Sequence, residues 1–175
     1  MKIAEEIITL NDGRTLTLRS AEEKDAVTML DYIRKTAEET HYLIRYPEEI
    51  SIDLEREKEI IRNNLESEDA AWFTIFDGEK AVGNCSISRH RNHLKLMHRC
   101  DFAIAIEQAY CNSGLGTILT QKAITKAREM GLNRWSLELM LTMKEPLLYI
   151  RRWGSKNVAE HKRRSNLRME HTLMK

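Results

Sequence analysis

The residues best placed to do chemistry form a glycine-containing loop that leads into a long amphipathic helix. The loop reads Cys-Asn-Ser-Gly-Leu-Gly-Thr over residues 111–117, directly after an apolar segment. Its glycines, Gly114 and Gly116, let a ligand approach the backbone closely. The uncapped N–H groups and the positive dipole end of the following helix favour an anion there. The spacing therefore predicts a phosphate-binding loop, and a diphosphate-bearing cofactor is the first hypothesis.

The elements around this loop are predicted from apolar periodicity and turn signals. A capping box of Ser20 and Glu23 predicts the start of the first helix, Ser51 or Asp53 begins the second, and Gly131 ends the third. The predicted strands are residues 15–19, 71–76, 81–88, 97–106 and 135–141. The predicted helices are residues 20 to about 39, 54 to about 65, and 115–130.

This element order predicts an α/β fold of the α+β type. The turn at Asp77 and Gly78 joins two strands as an antiparallel hairpin. The helix at 115–130 is a crossover, which makes the strand after it parallel to the strand before it. We therefore expect a mixed, mainly antiparallel twisted sheet flanked by helices.

Length and composition predict a single domain over residues 1–175. No apolar run approaches the roughly 18 residues that span a bilayer, and the first residues lack a secretory apolar core. We expect a soluble, cytoplasmic protein without a membrane partner. The three cysteines, Cys85, Cys100 and Cys111, have neither metal-ligand spacing nor an even count, so we expect reduced thiols and no metal.

Charge is distributed unevenly although the net charge is +1. Residues 1–80 contain 11 of the 28 basic and 20 of the 27 acidic residues. The excess is either a solvated acidic helical face or a field that attracts a cationic substrate, while the basic half holds an anionic cofactor. Neither half interleaves aromatic and basic residues, so no nucleic-acid partner is expected.

The element order and the loop together resemble the GNAT superfamily of acyl-CoA N-acyltransferases. In that family the loop reads Arg/Gln-x-x-Gly-x-Gly/Ala, and residues 111–116 fit this pattern except for Cys111 at its first position. The resemblance covers roughly residues 14–141. It implies the order β-α-α-β-β-β-α-β-α, followed by a final hairpin whose sequence pattern is only partly kept here.

The resemblance also implies acetyl-CoA as co-substrate. The amides of residues 112–117 would bind its pyrophosphate, and the end of the preceding strand would hydrogen-bond the pantetheine arm through its backbone. Plain core packing also explains the apolar residues of that strand, and both explanations can hold because the ligand contact is made by main chain. The implied cofactor-binding residues are Ile104, Ala105, Ile106, Cys111, Asn112, Ser113, Gly114, Leu115, Gly116 and Thr117.

The implied reaction is direct attack of a neutral amine on the acetyl carbonyl, which needs a base and an acid. Asp101, Glu107 and His98 are the candidate bases, and an ordinary surface role is the alternative for each. The family's acid is a tyrosine in the helix after the fifth strand, and Tyr149 lies in that region. A half-buried structural aromatic is the alternative for Tyr149.

The acceptor is expected to be a primary amine of a small molecule or peptide. By the same resemblance, residues 40–49 and the two N-terminal helices would form its pocket. The acidic excess favours a cationic acceptor such as a polyamine.

After Thr142 the family pattern ends, and residues 143–175 are atypical and basic, without phenylalanine. Met and Trp have single codons, so a reading frame that begins one base earlier contains four fixed residues. These are Glu across Met143 and Lys144, Gly across Trp153 and Gly154, Gly across Met169 and Glu170, and Glu across Met174 and Lys175. With permitted synonymous bases that frame reads Asn-Glu-Arg-Ala-Ile-Ala-Leu-Tyr-Lys-Lys-Met-Gly-Phe, which resembles the family's C-terminal helix. We hypothesise that a frameshift near residues 141–143 replaced the native C-terminus.

Such a replacement would expose an apolar sheet edge, with self-association, for example as a homodimer, as its consequence. Only residues 167–174 alternate enough to restore an edge strand. We expect lower stability and impaired acetyl transfer with cofactor binding partly retained. The alternatives are a CoA-binding protein without activity, and nucleic-acid binding through the basic tail, which would be steeply salt-dependent.

Overall fold

The fold is built on one mixed sheet, seen in a computed structural model that describes residues 1–39, 53–90, 97–132, 134–140, 158–163 and 166–172. The strands are β1 (Glu6–Thr9), β2 (Thr15–Arg19), β3 (Ala70–Asp77), β4 (Lys80–Arg89), β5 (Arg99–Ile106), β6 (Arg134–Met140), β7 (Val158–Arg163) and β8 (Asn166–Thr172). The helices are α1 (Ala26–Glu39), α2 (Leu54–Glu66) and α3 (Leu115–Glu129), with short 3₁₀ helices at Glu23–Asp25 and Gln108–Tyr110.

The strand order within the described sheet is β1-β2-β3-β4-β5-β6-β8-β7. Neighbours are antiparallel except β5 and β6, which are parallel because α3 crosses over between them. The predicted mixed, mainly antiparallel sheet flanked by helices is therefore confirmed. Strand β1 was not predicted. Only one of its four residues, Ile8, is buried, so the segment shows no clear alternation of buried and exposed side chains.

The two faces of the sheet are covered by different helices. On one face α3 buries Leu115 and Leu119 in an apolar cluster with Phe73 of β3 and Ile87 of β4. The other face lies under α1 and α2, whose buried apolar residues include Met29, Tyr32 and Ile61. Alternate residues of β5 therefore belong to different layers, with Ile104 and Ile106 on the α3 side and Ala105 on the α1 side.

The predicted helix starts are partly right. The carboxylate of Asp53 accepts the Arg56 N–H at 2.7 Å, so Asp53 rather than Ser51 begins α2. The predicted box of Ser20 and Glu23 is wrong. Helix α1 is instead preceded by a 3₁₀ turn in which Asp25 accepts the Glu22 N–H at 2.8 Å, and the Ser20 hydroxyl accepts the Ile3 N–H at 2.8 Å.

The C-terminal strands differ from the expected single edge strand at 167–174. Strand β8 pairs with β6 on one side and with β7 on the other, so β8 is internal and β7 forms the edge. Strand β7, the outer partner of β8, lies earlier in the chain, and its sequence shows little alternation of apolar and polar residues. The predicted order from β2 to β6 is otherwise observed, and the expected helix after β6 falls in residues 141–157, outside the described residues.

Within the described residues, no helix is long and apolar enough to cross a membrane. The same residues contain no group of three or more metal-ligating side chains. Cys85 and Cys100 are buried thiols, whereas Cys111 is exposed. Burial raises the pKa of Cys85, and raises that of Cys100 to about 12.

We predict that truncating the apolar face of α3 destabilises the whole sheet. Leu119 is fully buried, whereas 57 % of Val27, on α1, is exposed. Leu119→Ala should lower the free energy of unfolding by about 3 kcal/mol, since it removes buried area and leaves a cavity. Urea unfolding measures this loss. Val27→Ala is the matched helical control, with an expected change within about 0.5 kcal/mol, and equal losses in both variants would contradict the assigned packing.

Candidate active site

A gap opens in the sheet where β5 and β6 separate. The two strands pair at three positions, from Arg99 opposite Arg134 to Asp101 opposite Ser136. Strand β5 then continues to Ile106 and β6 to Met140 without further mutual pairing among the described residues. The second half of β5 therefore presents one backbone edge to a gap rather than to a neighbouring strand.

Ile104 and Ile106 direct their backbone groups toward this gap. The Glu107 N–H donates to Val82 O at 3.0 Å, which points Glu107 toward β4. Successive residues of a strand direct their N–H and C=O to opposite sides, so the amides and carbonyls of residues 104 and 106 point away from β4. Ala105 is oriented toward β4, and its carbonyl also accepts the Tyr32 hydroxyl at 2.7 Å.

The loop after β5 turns sharply before α3. Asn112 has φ 59° and Gly114 has φ 89°, both in the left-handed region. Gly114 is the N-cap of α3 and gives no side-chain cap, and the first helical hydrogen bond runs from the Ile118 N–H to Gly114 O at 3.1 Å. No amide of residues 112–117 donates a hydrogen bond among the described residues. The turn therefore offers a row of available donors at the positive end of α3.

These donors border a cavity of about 400 Å³. The cavity is lined by Asn11, Ile106, Cys111, Asn112, Gly114, Gly116 and Thr117. Two other predicted cofactor-binding residues, Ser113 and Leu115, have buried side chains, so only their backbone can contribute.

Asn11 is a site residue that the sequence did not predict. It lies in the β1–β2 turn, and its N–H donates to Ser113 O at 3.2 Å. A Cβ on Gly114 would lie 2.9 Å from Asn11 Nδ2. The Asn-Asp-Gly turn signal was visible in the sequence, but its position beside the loop depends on the sheet order.

Tyr110 anchors the loop to the β3–β4 hairpin. Its hydroxyl donates to Asp77 Oδ2 at 2.6 Å, and the Arg14 guanidinium lies 4.7 Å from the ring centroid. Burial, followed by the Asp77 carboxylate, raises the pKa of Tyr110 to about 12. The phenol therefore stays neutral and keeps its donor at neutral pH.

Cys111 occupies the position where the family pattern has Arg or Gln. Its Sγ lies 3.7 Å from Glu107 O, and partial burial raises the pKa of the thiol. A neutral thiol supplies no positive charge, so Cys111 does not replace the positive charge of an Arg at this position.

Asp101 lies at the point where β5 and β6 part. It is the last residue of β5 paired with β6, and its side chain is exposed. His90 Nε2 lies 2.9 Å from Asp101 Oδ1. His98, the third candidate base, is half-buried in the turn before β5.

Glu107 follows β5 and is fully buried. Its Oε2 accepts hydrogen bonds from Lys35 Nζ and Lys80 Nζ, each at 2.7 Å. The structure thus separates Asp101 and Glu107, which the strand alternation assigned to one face, into an exposed and a sealed environment. Tyr149 and the expected acceptor segment at 40–49 lie outside the described residues.

The gap between the parallel strands, the uncapped turn and the cavity lie together beside the end of β5. The sequence model of the acetyltransferase (GNAT) family matches residues 29–145. The chain belongs to this family. The match ends close to Thr142, after which the sequence no longer follows the family pattern.

Solved structures of low sequence identity share the fold. A GNAT-family acetyltransferase from Streptococcus pneumoniae has a TM-score of 0.78 at 21 % identity, over 91 % of this chain and 99 % of that chain. The GNAT domain of PAT from S. lividans has a TM-score of 0.75 at 17 % identity, over 97 % of both chains. A PaiA N-acetyltransferase from Thermoplasma acidophilum, in complex with coenzyme A, has a TM-score of 0.73 at 14 % identity, over 91 % of this chain and 99 % of that chain. No curated protein matches this sequence.

We predict that the two loop glycines respond differently to alanine. Gly114→Ala places a side chain at a left-handed φ and against Asn11, at a cost of about 1 to 2 kcal/mol in the free energy of unfolding. Gly116 has no positive φ, and its Cβ would lie 3.6 Å from Ile106 Cδ1. Gly116→Ala in the helix should therefore be neutral or stabilising by up to about 1 kcal/mol. Urea unfolding compares the two, and equal costs would refute the turn geometry.

Proposed function

We propose that the protein is an acetyl-CoA-dependent N-acetyltransferase that acts on a primary amine of a small molecule or peptide. The observation that carries this proposal is a row of backbone N–H groups at residues 112–117, beside the gap between β5 and β6, that donate no hydrogen bond to any described residue. Family membership supports acetyl transfer in general. The coenzyme A complex of the T. acidophilum relative supports this cofactor for the fold.

In this proposal the cofactor is held mainly by backbone. The amides of residues 112–117 bind the diphosphate, and the outward N–H and C=O groups of Ile104 and Ile106 bind the pantetheine arm in the gap. Ala105 keeps the strand in place through β4 and Tyr32. Gly114 fits the site because a Cβ there would crowd Asn11. Acetyl-CoA supplies the acetyl group as a reactive thioester.

We assign the base to Asp101. The acceptor must lose its ammonium proton before its nitrogen bonds to the acetyl carbon and the C–S bond breaks. Asp101 is exposed at the fork of β5 and β6 and can take that proton, directly or through water. Glu107 is buried and already accepts hydrogen bonds from two lysines, so it is not proposed as the base.

We assign the acid to Tyr149, which would return a proton to the departing thiolate. This assignment rests on the family pattern, because Tyr149 is outside the described residues. The acceptor is proposed to be cationic, since acidic residues prevail in the half of the chain that contains α1 and α2. Three free cysteines are consistent with a reducing cytoplasm.

We further propose that residues 143–175 are a frame-altered tail on one domain that spans 1–175. Support comes from the end of the family match at residue 145. The same observation favours a second candidate function, a protein that binds CoA without efficient turnover. Strand β7 at the edge of the sheet is then a surface for homodimer formation.

We predict that the chain binds acetyl-CoA with a dissociation constant between roughly 1 μM and 1 mM, a range typical of enzyme substrates. Calorimetry measures this affinity. Thiol release with a panel of spermidine, simple primary amines and a peptide N-terminus then tests turnover, with spermidine expected to react fastest. Release without an amine is the hydrolysis control. Binding without release would favour the second candidate, and no binding would refute the cofactor assignment.

We predict that restoring the alternative frame after Thr142 raises turnover at least tenfold and raises the melting temperature. The physical reason is the return of the family's C-terminal helix, while the turn at 112–117 is unchanged. Thiol release and thermal unfolding measure both effects.

The control is a gene with synonymous codons over residues 143–175 that abolish the alternative frame, which must behave like the parent. Equal affinity, turnover and stability in the restored chain would refute the frameshift hypothesis, as would coding DNA without a family-like frame.

A further inference from the structure

One face of α1 makes polar contacts with β4, with β5 and with the residues that follow β5. Its members, Thr28, Tyr32, Lys35 and Glu39, are spaced by four, three and four residues, so they share a helix face. Thr28 Oγ1 accepts the Ala81 N–H at 2.9 Å, and the Tyr32 hydroxyl donates to Ala105 O at 2.7 Å. Lys35 Nζ donates to Glu107 Oε2, and Glu39 Oε2 accepts the Gln108 N–H, both at 2.7 Å. We call these four residues the α1 polar stripe.

Glu107 joins the α1 polar stripe to β4. Lys80 of β4 donates to the same Oε2 that Lys35 contacts, so one carboxylate ties α1 and β4 to the end of β5. Its Oε1 is buried and has no hydrogen-bond partner among the described residues. The carboxylate also raises the pKa of Lys35, which keeps this lysine charged at neutral pH. A buried carboxylate needs such compensation and is costly to leave unpaired.

The position of Glu107 is transmitted to the anion-binding turn by short-range hydrogen bonds. The Tyr110 N–H donates to Glu107 O at 2.9 Å, and the Cys111 N–H donates to Gln108 O at 3.1 Å. Ser113 Oγ then donates to Tyr110 O at 2.6 Å. Hydrogen bonds thus link the backbone from Glu107 to Ser113 through a 3₁₀ turn, so we expect a displacement of Glu107 to move the amides that follow.

We propose that Glu107 is a positioning residue for cofactor binding: held by Lys35 and Lys80, it fixes the turn whose amides bind the diphosphate, and it does not take the substrate proton. This inference rests on the proposed function. It makes α1, one of the two helices expected to form the acceptor pocket, the element that sets the geometry of the cofactor site.

The test is Glu107→Gln, which keeps the side-chain volume and removes the charge. Acetyl-CoA affinity should weaken roughly tenfold, as for displaced binding groups, while turnover at saturating acetyl-CoA stays within about threefold. Asp101→Asn should do the reverse, with affinity within about twofold and turnover lowered by roughly 100-fold. Lys58→Met is the matched control, because it breaks a 2.7 Å pair with Glu55 on α2 and should leave affinity unchanged.

Hydrogen exchange provides a readout without ligand. In Glu107→Gln the Tyr110 and Cys111 amides should exchange about tenfold faster, with core amides of α3 unchanged. If this variant fails to fold, Tyr32→Phe and Glu39→Gln must show the same pattern more weakly. Unchanged affinity and exchange would overturn the proposal, and so would a loss of turnover with unchanged affinity, which would make Glu107 the base. A parent chain that does not bind acetyl-CoA would refute the proposed function instead, and amide exchange alone would then decide the role of Glu107.

Discussion

The proposed site depends on one constraint, a row of backbone amides at the start of α3 that donate to no acceptor in the part of the chain that the structure describes. The first turn of any helix leaves such donors, and proteins usually satisfy them with a capping side chain or water. Here the N-cap is Gly114, which has no side chain to offer. Its left-handed φ, the nearby Asn11 and the Tyr110 contact with Asp77 fix the turn without using the amides. The donors therefore remain for a ligand.

Strand β5 separates the two halves of the proposed reaction. Its even-numbered residues pack toward α3, while their backbone faces the gap beside β6. Its odd-numbered side chains lie on the α1 side, where Asp101 is exposed and Glu107 is buried. This difference in burial is the reason for proposing Asp101 as the base, because proton transfer needs access to the substrate and Glu107 is buried and paired with two lysines.

The C-terminal part of the sheet is formed by residues that no longer follow the family pattern. The family match ends at residue 145, yet β7 and β8 extend the sheet beyond β6. Antiparallel pairing needs only backbone groups and tolerable side chains. Residues 158–172 can thus extend the sheet beyond β6 without following the family's sequence pattern.

The sequence by itself determined the local features of this protein. The glycine-containing turn before α3, a start of α2 at Ser51 or Asp53, and the end of α3 at Gly131 follow from glycine conformations, capping and apolar periodicity, which act over a few residues. Strand β1 and the start of α1 were missed because their apolar signals are weak and their contacts come from other elements.

Only the tertiary structure decided where β5 and β6 separate, that Asn11 borders the loop, and that Glu107 is sealed between two lysines. The pairs Tyr32–Ala105 and Lys35–Glu107 join residues 73 and 72 positions apart. Strand alternation gives the face of a side chain, but its exposure depends on which distant helix covers that face.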